Sequence, residues 1–241
     1  MANYEFGFIG TGHMGGALAK ELGCACGDNE EAAGARFVML GVKPQMMADM
    51  LAGIAPVLAA RRDRFVLVTM AAGLSMEKIS ALAGGDYPVI RIMPNTPASI
   101  GQGMILYSPG PGVTAGEEEA FLRAMGAAGR FLKLEERLID AGSSVSGCGP
   151  AFADLFIEAL ADGGVACGLP RKQAQEMAAQ MLLGSAALCL ESGKHPGVLK
   201  DAVCSPGGTT IQGVRVLEER GFRAAVMDAV IAAYEKNFNL K

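Results

Sequence analysis

The stretch that most constrains this 241-residue chain is Phe6-Gly7-Phe8-Ile9-Gly10-Thr11-Gly12-His13-Met14-Gly15, an apolar run that breaks into glycines at G-x-G-x-x-G spacing. Residues 4–9 read as a buried strand and residues 16–22 as the helix that follows it. In that setting Gly10 permits a tight turn, Gly12 lets backbone approach a pyrophosphate, and Gly15 lets the helix pack on the strand. The free N–H groups and dipole at the helix start suit a diphosphate. The reading is dinucleotide binding. The chain has 33 glycines, so the spacing alone can arise by chance; the strand directly before it gives it weight.

Apolar residues make up 51% of the chain and charged residues 19%, enough for a sizeable core in one large or two modest domains. A net charge of -4 leaves no electrostatic footprint for nucleic acid or an anionic membrane, so neither partner is expected. Six cysteines are scattered, only Cys24 and Cys26 lie close together, and two histidines, His13 and His195, do not make a multi-histidine site. No metal is expected. Reduced thiols and the lack of a basic-then-apolar leader point to the cytoplasm. The longest apolar stretch, 178–190, is interrupted by Gln180, Gly184 and Ser185 and is too short to span a bilayer.

After the first helix a dinucleotide fold should have a second strand, ending on an acidic residue about 20 positions past the glycines. Glu30 and Glu31 stand at that distance. No apolar run precedes them, so they read better as the first turn of a short helix capped by Asp28 or Asn29. Alternatively, residues 37–40 are themselves the second strand, with Lys43 at its end meeting a 2′-phosphate. Helices at 45–51, 75–82 (capped by Ser75) and 115–128 alternate with strands at 65–69, 89–93, 103–107 and 131–134, which implies a mainly parallel, doubly wound sheet. From about residue 139 the strand signal disappears. Residues 151–167, 172–190, 208–220 and 222–239 carry Ala, Leu and Met at helical spacing, apolar on more than one face, as expected of helices buried against a partner subunit. The expected organisation is an α/β domain over 1–137 and an all-α domain over 138–241.

Ligands of open α/β sheets bind at strand carboxyl ends, where loops rich in glycine and proline fall here. Lys43, in Val42-Lys43-Pro44, is either a ligand group or a solvated charge. Ala71-Ala72-Gly73 offers close backbone approach or merely a tight strand exit. Arg91, inside a strand, is expected to make a structural salt bridge. Ser205-Pro206-Gly207-Gly208-Thr209-Thr210 precedes a helix and leaves backbone N–H groups free to grip a carboxylate, although Thr209 and Thr210 can equally serve as N-caps. The chain shows no Ser-His-Asp context, no paired carboxylates in a glycine loop and no Walker lysine. Hydride transfer to an electrophilic carbon needs none of them.

Taken together these loops resemble the pyrroline-5-carboxylate reductases. The likeness rests on residues 8–14, Val42-Lys43-Pro44-Gln45, Arg91-x-Met93-Pro94-Asn95-Thr96-Pro97, Ser146-Gly147-x-Gly149-Pro150-Ala151, residues 158–164, His195-Pro196-Gly197-x-Leu199-Lys200-Asp201 and the 205–210 loop. It implies an amino-terminal Rossmann domain and a carboxyl-terminal helical dimerisation domain, a homodimer and, beyond it, a pentamer of dimers. The activity it implies is reduction of Δ1-pyrroline-5-carboxylate to L-proline with NADPH or NADH, NADPH being favoured. Cofactor contacts are implied at Gly10, Thr11, Gly12, His13, Met14, Gly15, Asn29, Val42, Lys43, Pro44, Ala71, Ala72 and Gly73, with Lys43 near the nicotinamide half rather than on a 2′-phosphate. Substrate contacts are implied at Val203, Ser205, Gly207, Gly208 and Thr209, and Thr210 takes the catalytic role, its hydroxyl meeting the pyrroline nitrogen.

One departure from the family stands out: the second strand and its helix, which carry the selector for the adenosine ribose, are missing after Lys20. A true deletion or a disordered segment left out of the sequence both fit, and omission is the preferred reading. The rivals are another imine or β-hydroxy acid reductase of the same fold and a non-catalytic dimeric nucleotide binder.

Overall fold

A computed structural model describes residues 4–10, 12, 15–16, 18–19 and 28–238 of the chain. The chain forms two compact units, one of Met1–Pro150 with Ala232–Lys241 and one of Ala151–Ile231. The first is built on six strands in the order β1 (Phe6–Ile9), β2 (Phe37–Leu40), β3 (Val66–Thr69), β4 (Val89–Met93), β5 (Gly103–Pro109) and β6 (Gly129–Lys133). All pairings are parallel except β4 with β5. Only residues 94–102 join those two strands, too short for a parallel crossover.

Alternation of side chains sorts the core onto both faces of the sheet. Phe6, Phe8, Phe37, Met39, Val66 and Val68 pack on one face with Phe121 and Met125 of a helix at Ala115–Met125. Ile9, Val38, Leu40 and Leu67 pack on the other with the helices α1 (Asn29–Ala33), α2 (Met47–Ala60) and α3 (Met76–Leu82). We number the Ala115–Met125 helix α4 and the next, Glu136–Ser146, α5.

Among the described residues β1 is a sheet edge rather than a central strand, yet all four of its residues are buried. Phe6 stacks on Phe37 at 5.3 Å and meets Phe121 edge-on at 6.4 Å, an aromatic cluster that anchors the strand from one side. From the other side α1 sits directly on Gly7, where an added Cβ would lie 2.0 Å from the Ala32 carbonyl oxygen. Only glycine fits under that helix.

A five-residue helix has little stability of its own, and α1 is held at both ends. Asp28 caps it, accepting from the Glu31 N–H at 2.8 Å, which settles the choice between Asp28 and Asn29. At the other end the buried Arg61 guanidinium donates to the Ala33 and Ala35 carbonyls at 2.6 and 2.7 Å while lying 4.2 Å over the Phe65 ring. Residues 37–40 pair directly with β1, and Val42-Lys43-Pro44 follows the strand beside the glycine loop.

The second unit is helical, carrying α6 (Gly149–Ala166), α7 (Arg171–Ser192), α8 (Pro196–Val203), α9 (Thr209–Glu219) and the first part of α10 (Phe222–Phe238). Its described apolar residues are fully buried only at Ala161, Ala174 and Ala178, while Leu155, Met177, Leu183, Leu190, Val203 and Met227 are each more than half exposed. Phe156 and Phe222 pair at 5.7 Å beside an apolar groove. So much exposed apolar surface marks an interaction face. Among the described residues no helix is long and apolar enough to cross a membrane.

Candidate active site

The strand register sets one end of the sheet as a working edge. Ile9, Leu40, Thr69 and Arg91 lie side by side across β1 to β4, so the loops after these strands emerge together. Those loops begin at Gly10, Gly41, Met70 and Pro94 and include most of the residues expected to hold the cofactor. Thr11, His13 and Met14 lie outside the described residues.

The glycine loop is folded tightly on its neighbours. Gly10 has φ +89°, a left-handed backbone, and an added Cβ there would come within 2.8 Å of the Gly41 carbonyl carbon. A Cβ on Gly15 would lie 2.3 Å from the Gly10 carbonyl oxygen. Gly12, in contrast, is exposed with open space at its Cβ position, and its carbonyl accepts from the Gly16 N–H at 2.8 Å as the helix begins. Two glycines close the turn and the third leaves backbone approachable, the arrangement a pyrophosphate requires. The residues present therefore fit the diphosphate of a dinucleotide.

Val42 and Pro44 are half-buried, and Lys43 is exposed at the start of a 3-10 turn, Pro44–Met46. Ala71 is buried against the sheet, while Ala72 and Gly73 are half-buried, with Gly73 at φ +72°. Asn29 is exposed as the first residue of α1.

The charge inside β4 has a partner. Arg91 donates to Asp140 Oδ1 on α5 at 2.5 Å and lies 3.9 Å from Glu136 Oε1; its side chain is 4% exposed and that of Asp140 19%. The salt bridge expected there is present. The sequence reading passed over α5 itself and the role of Asn95, which is buried between β4, β5 and the end of that helix. The Pro-Asn pair directly after a strand was the available signal.

In the helical unit, residues 205–208 form a turn closed by the Gly208 N–H on the Ser205 carbonyl at 3.0 Å, with Gly207 at φ +69°. Gly208 is the N-cap of α9, and no side chain caps that helix. Thr209 and Thr210 are the first two helical residues rather than caps, and among the described residues neither hydroxyl has a hydrogen-bond partner. Ser205 and Thr210 are exposed, as is Val203 at the end of α8. His195 caps α8, its Nδ1 accepting from the Gly197 N–H at 3.0 Å.

Comparison with known proteins decides the family. Residues 136–240 match the model for pyrroline-5-carboxylate reductase dimerisation. Over 270 aligned positions, spanning 100% of this chain and 99% of its relative, the sequence is 36% identical to pyrroline-5-carboxylate reductase of Methanosarcina acetivorans. The chain belongs to the pyrroline-5-carboxylate reductase family. Identity to the Escherichia coli pyrroline-5-carboxylate reductase is 44% over 206 positions, covering 86% of this chain and 76% of that protein. The fold superposes on the Plasmodium falciparum pyrroline carboxylate reductase crystallised with NADP at a TM-score of 0.88, with 31% identity and 98% of each chain covered. The chain thus pairs a Rossmann-type unit with the family's dimerisation domain. Since 270 aligned positions take in 241 residues, about 29 positions of the Methanosarcina alignment have no counterpart here.

Proposed function

We propose that this chain reduces Δ1-pyrroline-5-carboxylate to L-proline, using NADPH in preference to NADH. The observation that carries the reading is the start of α9, where among the described residues no side chain caps the first N–H groups and the Thr210 hydroxyl has no hydrogen-bond partner, in the loop that resembles the family's substrate loop. A bound nicotinamide nucleotide supplies the hydride that adds to C5 of the imine. The amides of Thr209 and Thr210, at the positive end of the helix, hold the substrate carboxylate, with Val203, Ser205, Gly207 and Gly208 shaping the turn around it. The Thr210 hydroxyl orients the ring nitrogen, whose proton arrives with the substrate or from solvent. On the nucleotide side, Gly10, Thr11, Gly12, His13, Met14 and Gly15 take the diphosphate, Asn29 the adenosine side, and Val42-Lys43-Pro44 with Ala71-Ala72-Gly73 the nicotinamide side. Positioning is the main contribution of the protein, since the imine carbon is already electrophilic.

The exposed apolar faces of the helical unit support a homodimer, and the family likeness extends this to a pentamer of dimers. Free thiols at Cys148, Cys167, Cys189 and Cys204 support a cytoplasmic location. We keep 1–137 and 138–241 as the proposed functional division, nucleotide loops in the first part and substrate turn in the second, whereas the compact units divide at Pro150 and Ile231. A second reading, a dimer that binds nucleotide weakly and does not turn over, draws on the aligned positions that have no counterpart here.

The test is Thr210→Val against Thr210→Ser. Losing one hydrogen bond to the reacting nitrogen is worth about 1.5–3 kcal/mol, so kcat/KM should fall roughly 10- to 150-fold in the valine variant and largely recover in the serine variant. An unchanged kcat/KM in Thr210→Val removes the residue from the mechanism.

A further inference from the structure

Asn95 is placed as no ordinary loop residue is. It is the second residue after β4 at the working edge of the sheet, and it is 7% exposed. Its carboxamide uses both ends: Oδ1 accepts from the Met104 N–H of β5 and Nδ2 donates to the Ser146 carbonyl, each at 3.0 Å. Three elements therefore meet at one side chain, the exit of β4, the start of β5 and the last residue of α5.

The bond to Ser146 answers a defect written into the sequence. A helical carbonyl is normally taken by the N–H four residues on, and four residues beyond Ser146 stands Pro150, which has none. The backbone also departs from the α pattern there: the N–H groups of Gly147 and Cys148 both reach back to the Ser143 carbonyl, at 2.7 and 3.0 Å. The chain breaks between α5 and α6 at Gly147-Cys148, and the orphaned Ser146 carbonyl is satisfied by Asn95. Arg91 holds the same helix about two turns earlier, through Asp140.

Resting on the reductase reading above, we propose that Asn95 is a positioning residue for hydride transfer: its carboxamide fixes the exit of α5 to the strand loops of the working edge. Loss of the tie leaves the nucleotide loops after β1, β2 and β3 intact but loosens the loop after β4 and the end of α5 within the same unit, and an ångström of misplacement at a reacting centre costs on the order of 100-fold in rate.

The experiment uses the full-length oligomer and compares wild type, Asn95→Asp and Asn95→Ser. Asn95→Asp keeps the acceptor for Met104 and loses the donor to Ser146; Asn95→Ser is smaller, uncharged and too short to span both partners. Three quantities are read at a temperature where circular dichroism shows each protein folded: nucleotide Kd from NADPH fluorescence, kcat, and the primary deuterium isotope effect on kcat with 4-deuterated NADPH. The expected result is a nucleotide Kd within twofold of wild type, kcat lowered at least tenfold, and a larger isotope effect as hydride transfer becomes limiting. A residue that merely stabilises the fold leaves the isotope effect unchanged in the folded variants. If Asn95→Asp does not fold, the same split in Asn95→Ser decides the matter. Wild-type kcat retained within twofold, or a Kd that worsens in step with kcat, overturns the proposal. Failure of the wild type to oxidise NADPH with substrate overturns the reductase reading instead.

Discussion

Asp140→Asn is the perturbation whose cost the structure lets us work out most directly. The Arg91 side chain is 4% exposed, and among the described residues Asp140 is its hydrogen-bonded carboxylate, at 2.5 Å; Glu136 stands off at 3.9 Å, and Arg91 Nε has no partner. Removing one member of a buried pair leaves an uncompensated charge and typically costs 3–5 kcal/mol. Asp140 is 19% exposed and Glu136 remains to share the charge, so the lower end applies, about 3 kcal/mol. For a unit of this size that corresponds to a drop of about 6–12 °C in Tm. The assay is urea and thermal unfolding at one fixed protein concentration, because oligomerisation shifts apparent stability. Arg91→Met with Asp140→Leu should be milder than Asp140→Asn alone, since the double change removes the buried charge along with its partner. A loss below about 1 kcal/mol for Asp140→Asn, or a double variant worse than the single, refutes the argument that Arg91 is a desolvated charge held by this one carboxylate.

Further consequences concern other parts of the first unit. Gly15→Ala puts a Cβ 2.3 Å from the Gly10 carbonyl oxygen, with backbone rather than a flexible side chain to yield, so NADPH affinity should fall at least tenfold; because the chain has no tryptophan, binding is best read from the fluorescence of the nucleotide. Gly7→Ala meets the Ala32 carbonyl oxygen at 2.0 Å and should cost about 1–3 kcal/mol or more of stability by denaturant titration, with α1 displaced from β1. Glu117, the buried member of the capping box at α4, has its carboxyl held down to about 2 by the Arg64 guanidinium first and by the Thr114 N–H and hydroxyl, against the opposing effect of burial. Its folded pKa lies below the unfolded value of 4.5, so the stability it gives is complete above about pH 4.5 and lost as pH falls towards 2. Arg64 is half exposed, which limits the effect to about 1–2 kcal/mol; Glu117→Gln should lose that much at pH 7 and flatten the acid limb of the stability curve over the same window.

Local signals carried much of the fold. The apolar run from Phe6 to Ile9, the glycine spacing after it and the short capped helix at Glu30 and Glu31 are all decided within a few residues, and each stands where the sequence places it among the described positions. The salt bridge expected for Arg91 was equally legible, because a strand interior tolerates a charge only with a partner. Its identity was not, since Asp140 lies 49 residues away on a helix with a weak sequence signature. That helix, α5, contains Gly142, Ser143, Ser144 and Ser146, poor helix formers whose cost is offset by packing on β4 and β5 rather than by propensity. At the 205–208 turn, Thr209 and Thr210 read as N-caps about as well as a carboxylate grip; the cap is Gly208, which closes a turn whose Gly207 takes a positive φ. That β1 is an edge strand among the described residues is a matter of sheet order, which no local pattern displays.

The most direct test of the account is the initial rate of NADPH oxidation by the purified full chain, with and without Δ1-pyrroline-5-carboxylate, with intact mass taken on the same sample. The account predicts substrate-dependent turnover yielding L-proline, with the intact mass showing whether the 24.9 kDa sequence is the whole of what turns over. No turnover at that mass, from a folded oligomer that still binds nucleotide, contradicts it and leaves a binder that has lost the reaction.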